Sequence, residues 1–249
     1  MIYSNSMKNK KDIDIMRGFT LIEMAIILVI IAIVVASITV GTKLIHASKV
    51  RSVVTDFQKI ETAISSFETK YNALPGDMNN AQRYLSQCVD YGGGKTCNGD
   101  GDGDVEAGAG VFEAYRVFQH LSLSGMVDRY FSGNDGDDSE RIWYKSKISK
   151  NAYFIVTNNG VTSHIGSGIN NYIRLSTPDA EASSTSCVIS ARDAEAIDEK
   201  MDDMTSSTGN LRGRDKGASG AACPSSCLSG GNYNRAGKDL GCTLWFKYD

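Results

Sequence analysis

The 22 consecutive residues from Phe19 to Val40 carry a single charge, that of Glu23. As a helix rising about 1.5 Å per residue, such a run is roughly 33 Å long, close to a bilayer core of about 30 Å. A secretory signal has a shorter apolar core followed by a small-residue cleavage site, so this run is long enough to stay as an anchor. Ahead of it Lys8, Lys10, Lys11 and Arg17 outnumber Asp12 and Asp14, which puts that end on the cytoplasmic side. Beyond the run the chain is polar and Gly-rich, which predicts a soluble, loop-rich head. A net charge of −3 leaves no basic excess, so no nucleic-acid partner is indicated.

Two features at the border of the run are unusual. The small residue Gly18 stands before the apolar stretch, at its charged edge. Glu23 stands inside it, where a carboxylate costs about 3 kcal/mol and is a functional residue by default. A cut between Gly18 and Phe19 exposes an amine four residues before Glu23. That amine pairs with Glu23 in the same chain or on a neighbouring helix, turning an isolated carboxylate into a neutralised pair. The plainer alternative is a Glu23 solvated at the membrane interface.

The order Arg17-Gly18-Phe19-Thr20-Leu21-Ile22-Glu23 ahead of a long apolar run resembles the processing motif of type IV prepilins and type II secretion pseudopilins. The resemblance implies a leader over residues 1–18, with Met7 and Met16 as other starts. It implies that prepilin peptidase cuts after Gly18 and methylates Phe19, and that Glu23 guides subunit registration. It also implies a single-pass protein of the bacterial inner membrane with a periplasmic head, later a homo- or hetero-polymer with other pilin-like subunits in the periplasm or at the cell surface.

Past Val40, the residues Val50, Val53, Phe57, Ile60, Ile64, Phe67 and Tyr71 recur at steps of three and four, one stripe of an amphipathic helix. Lys49, Arg51, Asp56, Lys59, Glu61, Glu68 and Lys70 take the other faces. The reading is one helix from Phe19 to about Tyr71, apolar all round over 19–40 and one-sided over 41–71. The stripe packs on a head rather than in a coiled-coil dimer, because it lasts too few turns for a secure zipper. Asn72 to Asp77 ends the helix with strong turn chemistry, and Asp77 is the expected N-cap of a short helix through Leu85. The stretch Tyr-x-x-Leu-Pro-Gly-Asp is similar to one that follows the long helix in many pilin-like proteins.

The head then spans 72–249. It predicts a helix over Phe112–Met126, strands at Ala152–Thr157, Tyr172–Leu175 and Thr243–Tyr248, and a helix opened by Ser190 and running to about Met201. Leu244, Trp245 and Phe246 are too apolar for a frayed tail, so the last strand should be central. The fold class is α+β: a long N-terminal helix packed on a C-terminal head with a small antiparallel sheet, a pilin fold.

Cys88, Cys97, Cys187, Cys223, Cys227 and Cys242 all follow the apolar run, as in an oxidising compartment. Six cysteines permit 15 pairings; pairing by nearness in sequence gives Cys88 with Cys97, Cys223 with Cys227 and Cys187 with Cys242. Free thiols or a metal site are the alternatives. Asn98-Gly99-Asp100-Gly101-Asp102-Gly103-Asp104-Val105-Glu106 resembles the front half of a calcium loop. Asn98, Asp100 and Asp102 take ligand spacings, Gly103 the turn, and Asp104 and Glu106 complete the candidate set. Ala109 stands where the closing Glu belongs, with Glu106 or Glu113 as substitutes. The alternative is a solvated acidic turn. Asn134–Asp138 is acidic with poorer spacing and reads as a solvated loop.

No catalytic constellation is present: His46, His120 and His164 are isolated in sequence, and no P-loop, nucleophile elbow or HExxH occurs. The expected role is a structural subunit of a type IV pilus or pilus-like filament rather than an enzyme. The competing readings are a type II secretion pseudopilin and a membrane-tethered periplasmic binding protein that never polymerises.

Overall fold

The computed structural model describes residues 19–88, 90, 97–106, 112–134, 136–158, 171–178, 187–214, 223, 226–236 and 240–248. The chain divides into two units, Met1–Ile45 and His46–Asp249. Helix α1 (Leu21–Tyr71) is continuous through Gly41. In the first unit its apolar residues are exposed, among them Leu21 at 92% and Leu28 at 67%. An apolar surface of that extent is unstable in water and demands a lipid or protein cover.

In the second unit the helical stripe is inside. Val53, Phe57, Ile60, Ile64 and Phe67 are buried in the main core, with Val50 just behind. The stripe therefore packs on the head, as its short length requires. Asp56, expected on a solvated face, is buried too. Ser52 Oγ donates to it at 3.2 Å and the Tyr144 hydroxyl at 3.4 Å, and burial raises its pKa. Asn72, in a left-handed conformation at φ +52°, closes the helix by donating its N–H to the Glu68 carbonyl.

The head is α+β. A five-stranded antiparallel sheet has β1 (Tyr144–Lys145), β2 (Tyr153–Asn158), β3 (Asn171–Ser176), β4 (Leu211–Arg214) and β7 (Thr243–Lys247) in the order β1-β2-β3-β7-β4. The last strand lies between β3 and β4, away from the edge, as its apolar residues demand. Period-two alternation sends Phe154, Val156, Ile173, Leu175, Leu244 and Phe246 to the core shared with α1. Phe57 meets Phe154 edge-on at 4.9 Å and Phe246 at 5.8 Å. Tyr172 and Trp245 form a separate cluster from the opposite parity.

Helix α2 is short (Ala81–Tyr84); α3 (Glu113–Leu123), α4 (Ser139–Ile142) and α5 (Ala191–Met201) complete the helices described. Ser190 Oγ caps α5 by accepting the Asp193 N–H at 3.2 Å, as expected. Asp77 does not cap α2; Asn80 stands at that position. A second small sheet, β5 (Leu228–Ser229) with β6 (Asn232–Tyr233), turns on Gly230-Gly231, both at positive φ. That two-glycine turn is a hairpin signal the sequence reading passed over.

Candidate functional site

The N-terminal segment is built from a local device. Thr20 precedes the first helical residue, and Glu23 is three residues on. The Thr20 N–H donates to Glu23 Oε2 at 2.7 Å, and its hydroxyl donates to the same oxygen at 2.8 Å. In return Glu23 N–H donates to Thr20 Oγ1 at 3.3 Å. This is a capping box, satisfying amide donors that a helix start leaves open. The negative carboxylate also sits at the positive end of the helix dipole. Glu23 thus has a partner within its own chain that the sequence reading, centred on the Phe19 amine, did not include. Phe19 itself is exposed, and Gly18, the expected cut, lies outside the described residues with the leader 1–18.

Residues 16–39 match the family described as the prokaryotic N-terminal methylation motif. The chain carries the type IV prepilin and pseudopilin signature. The signature implies processing by prepilin peptidase and assembly with pilin-like subunits. Together with α1, which is long and apolar enough to cross a membrane, it fits a membrane-anchored protein. No curated protein and no solved structure matches the chain.

Behind the prepilin signature, the head brings its acidic loop together with residues from two other segments. Asp77 Oδ1 accepts the Gly101 N–H at 2.6 Å, and Oδ2 accepts that of Gly103 at 2.9 Å. Glu113, first residue of α3, accepts from Asp100 N–H at 2.9 Å and Glu106 N–H at 3.2 Å. Close approach enforces this. A Cβ on Gly99 would lie 2.4 Å from the Asp77 backbone, and one on Gly76 would lie 2.7 Å from the Glu113 carbonyl. Of the candidate calcium set, Asp100, Asp102 and Glu106 gather their carboxylates, whereas Asn98 Oδ1 accepts the Gln82 N–H at 3.0 Å. Asp104 is buried, and the sequence reading did not place Asp77 in the set at all.

Burial pushes the Glu113 carboxyl up to about 7, and the charges of Asp77 and Asp100 push the same way against its two amide bonds. Burial likewise raises Asp77 and Asp104. In the second acidic stretch, Asp137 pairs with Arg141 at 3.5 Å and Asn134 Oδ1 accepts the Gly136 N–H, while Asp135 lies outside the described residues.

The cysteines form three disulfides: Cys88–Cys97, Cys187–Cys223 and Cys227–Cys242. The first is one of the pairs expected from sequence nearness; the expected Cys223–Cys227 and Cys187–Cys242 pairs are not formed. The reason is tertiary. Ile189 bridges to Cys242, and Cys227 sits at the foot of the β5–β6 hairpin with its carbonyl accepting Asn234 N–H. Cys227 and Cys242 are thereby 4.9 Å apart at Cα, leaving Cys187 to Cys223.

His120 is fully buried and satisfied. Its Nδ1 accepts the Gly76 N–H at 2.9 Å, and Nε2 lies 3.0 Å from the Cys97 carbonyl, to which it donates as the neutral ring. His46 contacts Asp193 at 2.6 Å, and His164 lies outside the described residues.

Proposed function

We propose that this chain is a structural subunit of a type IV pilus or a pilus-like filament. One observation carries the reading: a helix whose apolar residues are exposed on all sides stands directly behind a processing signature. Such a surface suits two successive environments. In the inner membrane lipid covers it, with the head in the periplasm. After prepilin peptidase cuts behind Gly18 and methylates Phe19, the helix leaves the bilayer laterally and the helices of neighbouring subunits cover it instead.

The capping box gives Glu23 a part in both stages. While the chain is a single subunit, Thr20 holds the carboxylate at the helix start and lowers the cost of placing it near lipid. Once the leader is gone, the Phe19 amine is the nearest new positive charge, on the same chain or on an adjacent one. Pairing there fixes axial register, because a misregistered subunit buries an unpaired carboxylate among apolar side chains. The role is structural rather than enzymatic, and the head supplies the outer surface of the filament.

The test is intact mass and N-terminal sequencing of the chain from membranes of cells that contain prepilin peptidase. The expected mature chain begins at Phe19 with one added methyl group. A mature chain beginning at Met1, Met7 or Met16 overturns the assignment. Imaging filaments with an antibody against the head separates a surface pilus from a type II secretion pseudopilus confined to the periplasm and from a tethered binding protein that forms no filament.

A further inference from the structure

We propose that the head holds a divalent cation of the calcium type, ligated by Asp77 from the turn after α1, Asp100, Asp102 and Glu106 from the acidic loop, and Glu113 from the start of α3. The inference is independent of the filament reading, since every ligand lies in the head.

The geometry comes first. Two groups of three carboxylates each offer oxygens within 4.8 Å of one another: Asp77, Asp100 and Glu113, and Asp100, Asp102 and Glu106. They share Asp100, so five side chains from three segments converge on one small region. All donors are hard oxygens, and a mixed set of exposed and buried carboxylates from three segments suits the six to eight loosely arranged ligands of calcium better than the rigid octahedron of magnesium. The amide bonds already made to Asp77 and Glu113 leave each oxygen a further lone pair.

A second observation is separate from this clustering. Asp104 is 7% exposed, and its Oδ1 is buried with no hydrogen-bond partner. It lies in the field of the same loop, for Asp102 and Asp100 are among the charges acting on it, while the Asn158 side chain bonds its carboxyl. An orphaned carboxylate oxygen beside like charges is costly. A cation satisfies it directly or through one of the waters it carries. The occupied site would tie the turn after α1 to the start of α3.

The experiment uses the full chain in detergent micelles, stripped with a chelator and then titrated with calcium chloride, magnesium chloride or terbium. Thermal melting and terbium luminescence are the readouts. Calcium at about 100-fold above its Kd is expected to raise Tm by about 5–10 °C, with magnesium giving a smaller rise. Asp100→Asn is the decisive variant. Asp100 is exposed, and Asn keeps the Oδ1 that accepts the Asp102 N–H, so the loop fold is retained while both groups lose a charge. It should weaken calcium binding by about tenfold or more, whereas Asp137→Asn in the other acidic stretch should leave binding unchanged. Three results overturn the proposal: no calcium-dependent melting shift or terbium signal at millimolar ion; a shift reproduced by sodium chloride at equal ionic strength; or equal effects of the two variants.

Discussion

Glu23 accepts the Thr20 amide at 2.7 Å and the Thr20 hydroxyl at 2.8 Å, so the one charge in the apolar run is engaged at the helix start before any partner arrives. Glutamine can replace glutamate in a capping box but carries no charge. Glu23→Gln therefore separates the two roles. It is expected to insert into the membrane and lose its leader as the wild type does, yet yield few filaments, the outcome expected of Glu23→Ala as well. Electron microscopy of sheared filaments reads the outcome; wild-type filament numbers in Glu23→Gln would show that the cap, not the charge, matters.

Phe57 and Ile30 belong to the same helix but face different environments: Phe57 is fully buried and Ile30 is 55% exposed. Phe57→Ala removes ring contacts to Phe154 and Phe246 and should destabilise the head by about 3–5 kcal/mol. Ile30→Ala should leave the head's denaturant midpoint unchanged, because it contributes nothing to that core. Chemical denaturation in micelles, followed by tryptophan fluorescence, distinguishes the two.

The pairing of the last four cysteines makes a chemical prediction. Peptide mapping without reduction should recover Cys187 linked to Cys223 and Cys227 linked to Cys242. Cys242→Ser should free the Cys227 thiol. The double change Cys227→Ser with Cys242→Ser should cost about 3 kcal/mol, the amount expected for opening a closed segment of 15 residues. Recovery of a Cys223–Cys227 peptide would contradict the pairing.

His120 makes the head acid-sensitive. Burial holds its pKa down at about 4, against an ordinary value of 6.5. The unfolded chain thus binds the proton first, so this contribution is complete above about pH 6.5 and is lost as pH falls toward 4. The loss is on the order of 3 kcal/mol. Asp198, bonded by the Tyr233 hydroxyl at 2.7 Å and pushed up to about 6 by burial, acts oppositely, its contribution falling as pH rises through 6. Comparison with His120→Gln isolates the histidine: the variant's unfolding free energy should drop less between pH 6.5 and 4. Parallel pH profiles for the two proteins would refute this role.

The sequence by itself determined whatever is local in its physics. An uninterrupted apolar run dictates helix α1 and its need for a non-aqueous cover, and the order of Gly18, Phe19, Thr20 and Glu23 carries the processing signature. The spacing of Val53, Phe57, Ile60, Ile64 and Phe67 marks the face that packs on the head, and Ser190 marks the start of α5. Such signals act over a few turns and survive without knowledge of distant neighbours.

Tertiary structure decided what depends on residues far apart in the chain. Leu211–Arg214, with its glycine and two arginines, has little strand character alone and is a strand because it pairs with Thr243–Lys247. Asp56 is buried because Tyr144 reaches it. Cys227 joins Cys242 because a bridge at Ile189 and the β5–β6 hairpin set their spacing, and sequence separation carries no such information. Asp77 and Glu113 reach the acidic loop through the close approaches at Gly99 and Gly76, contacts that exist only once the turn after α1 is packed against α3.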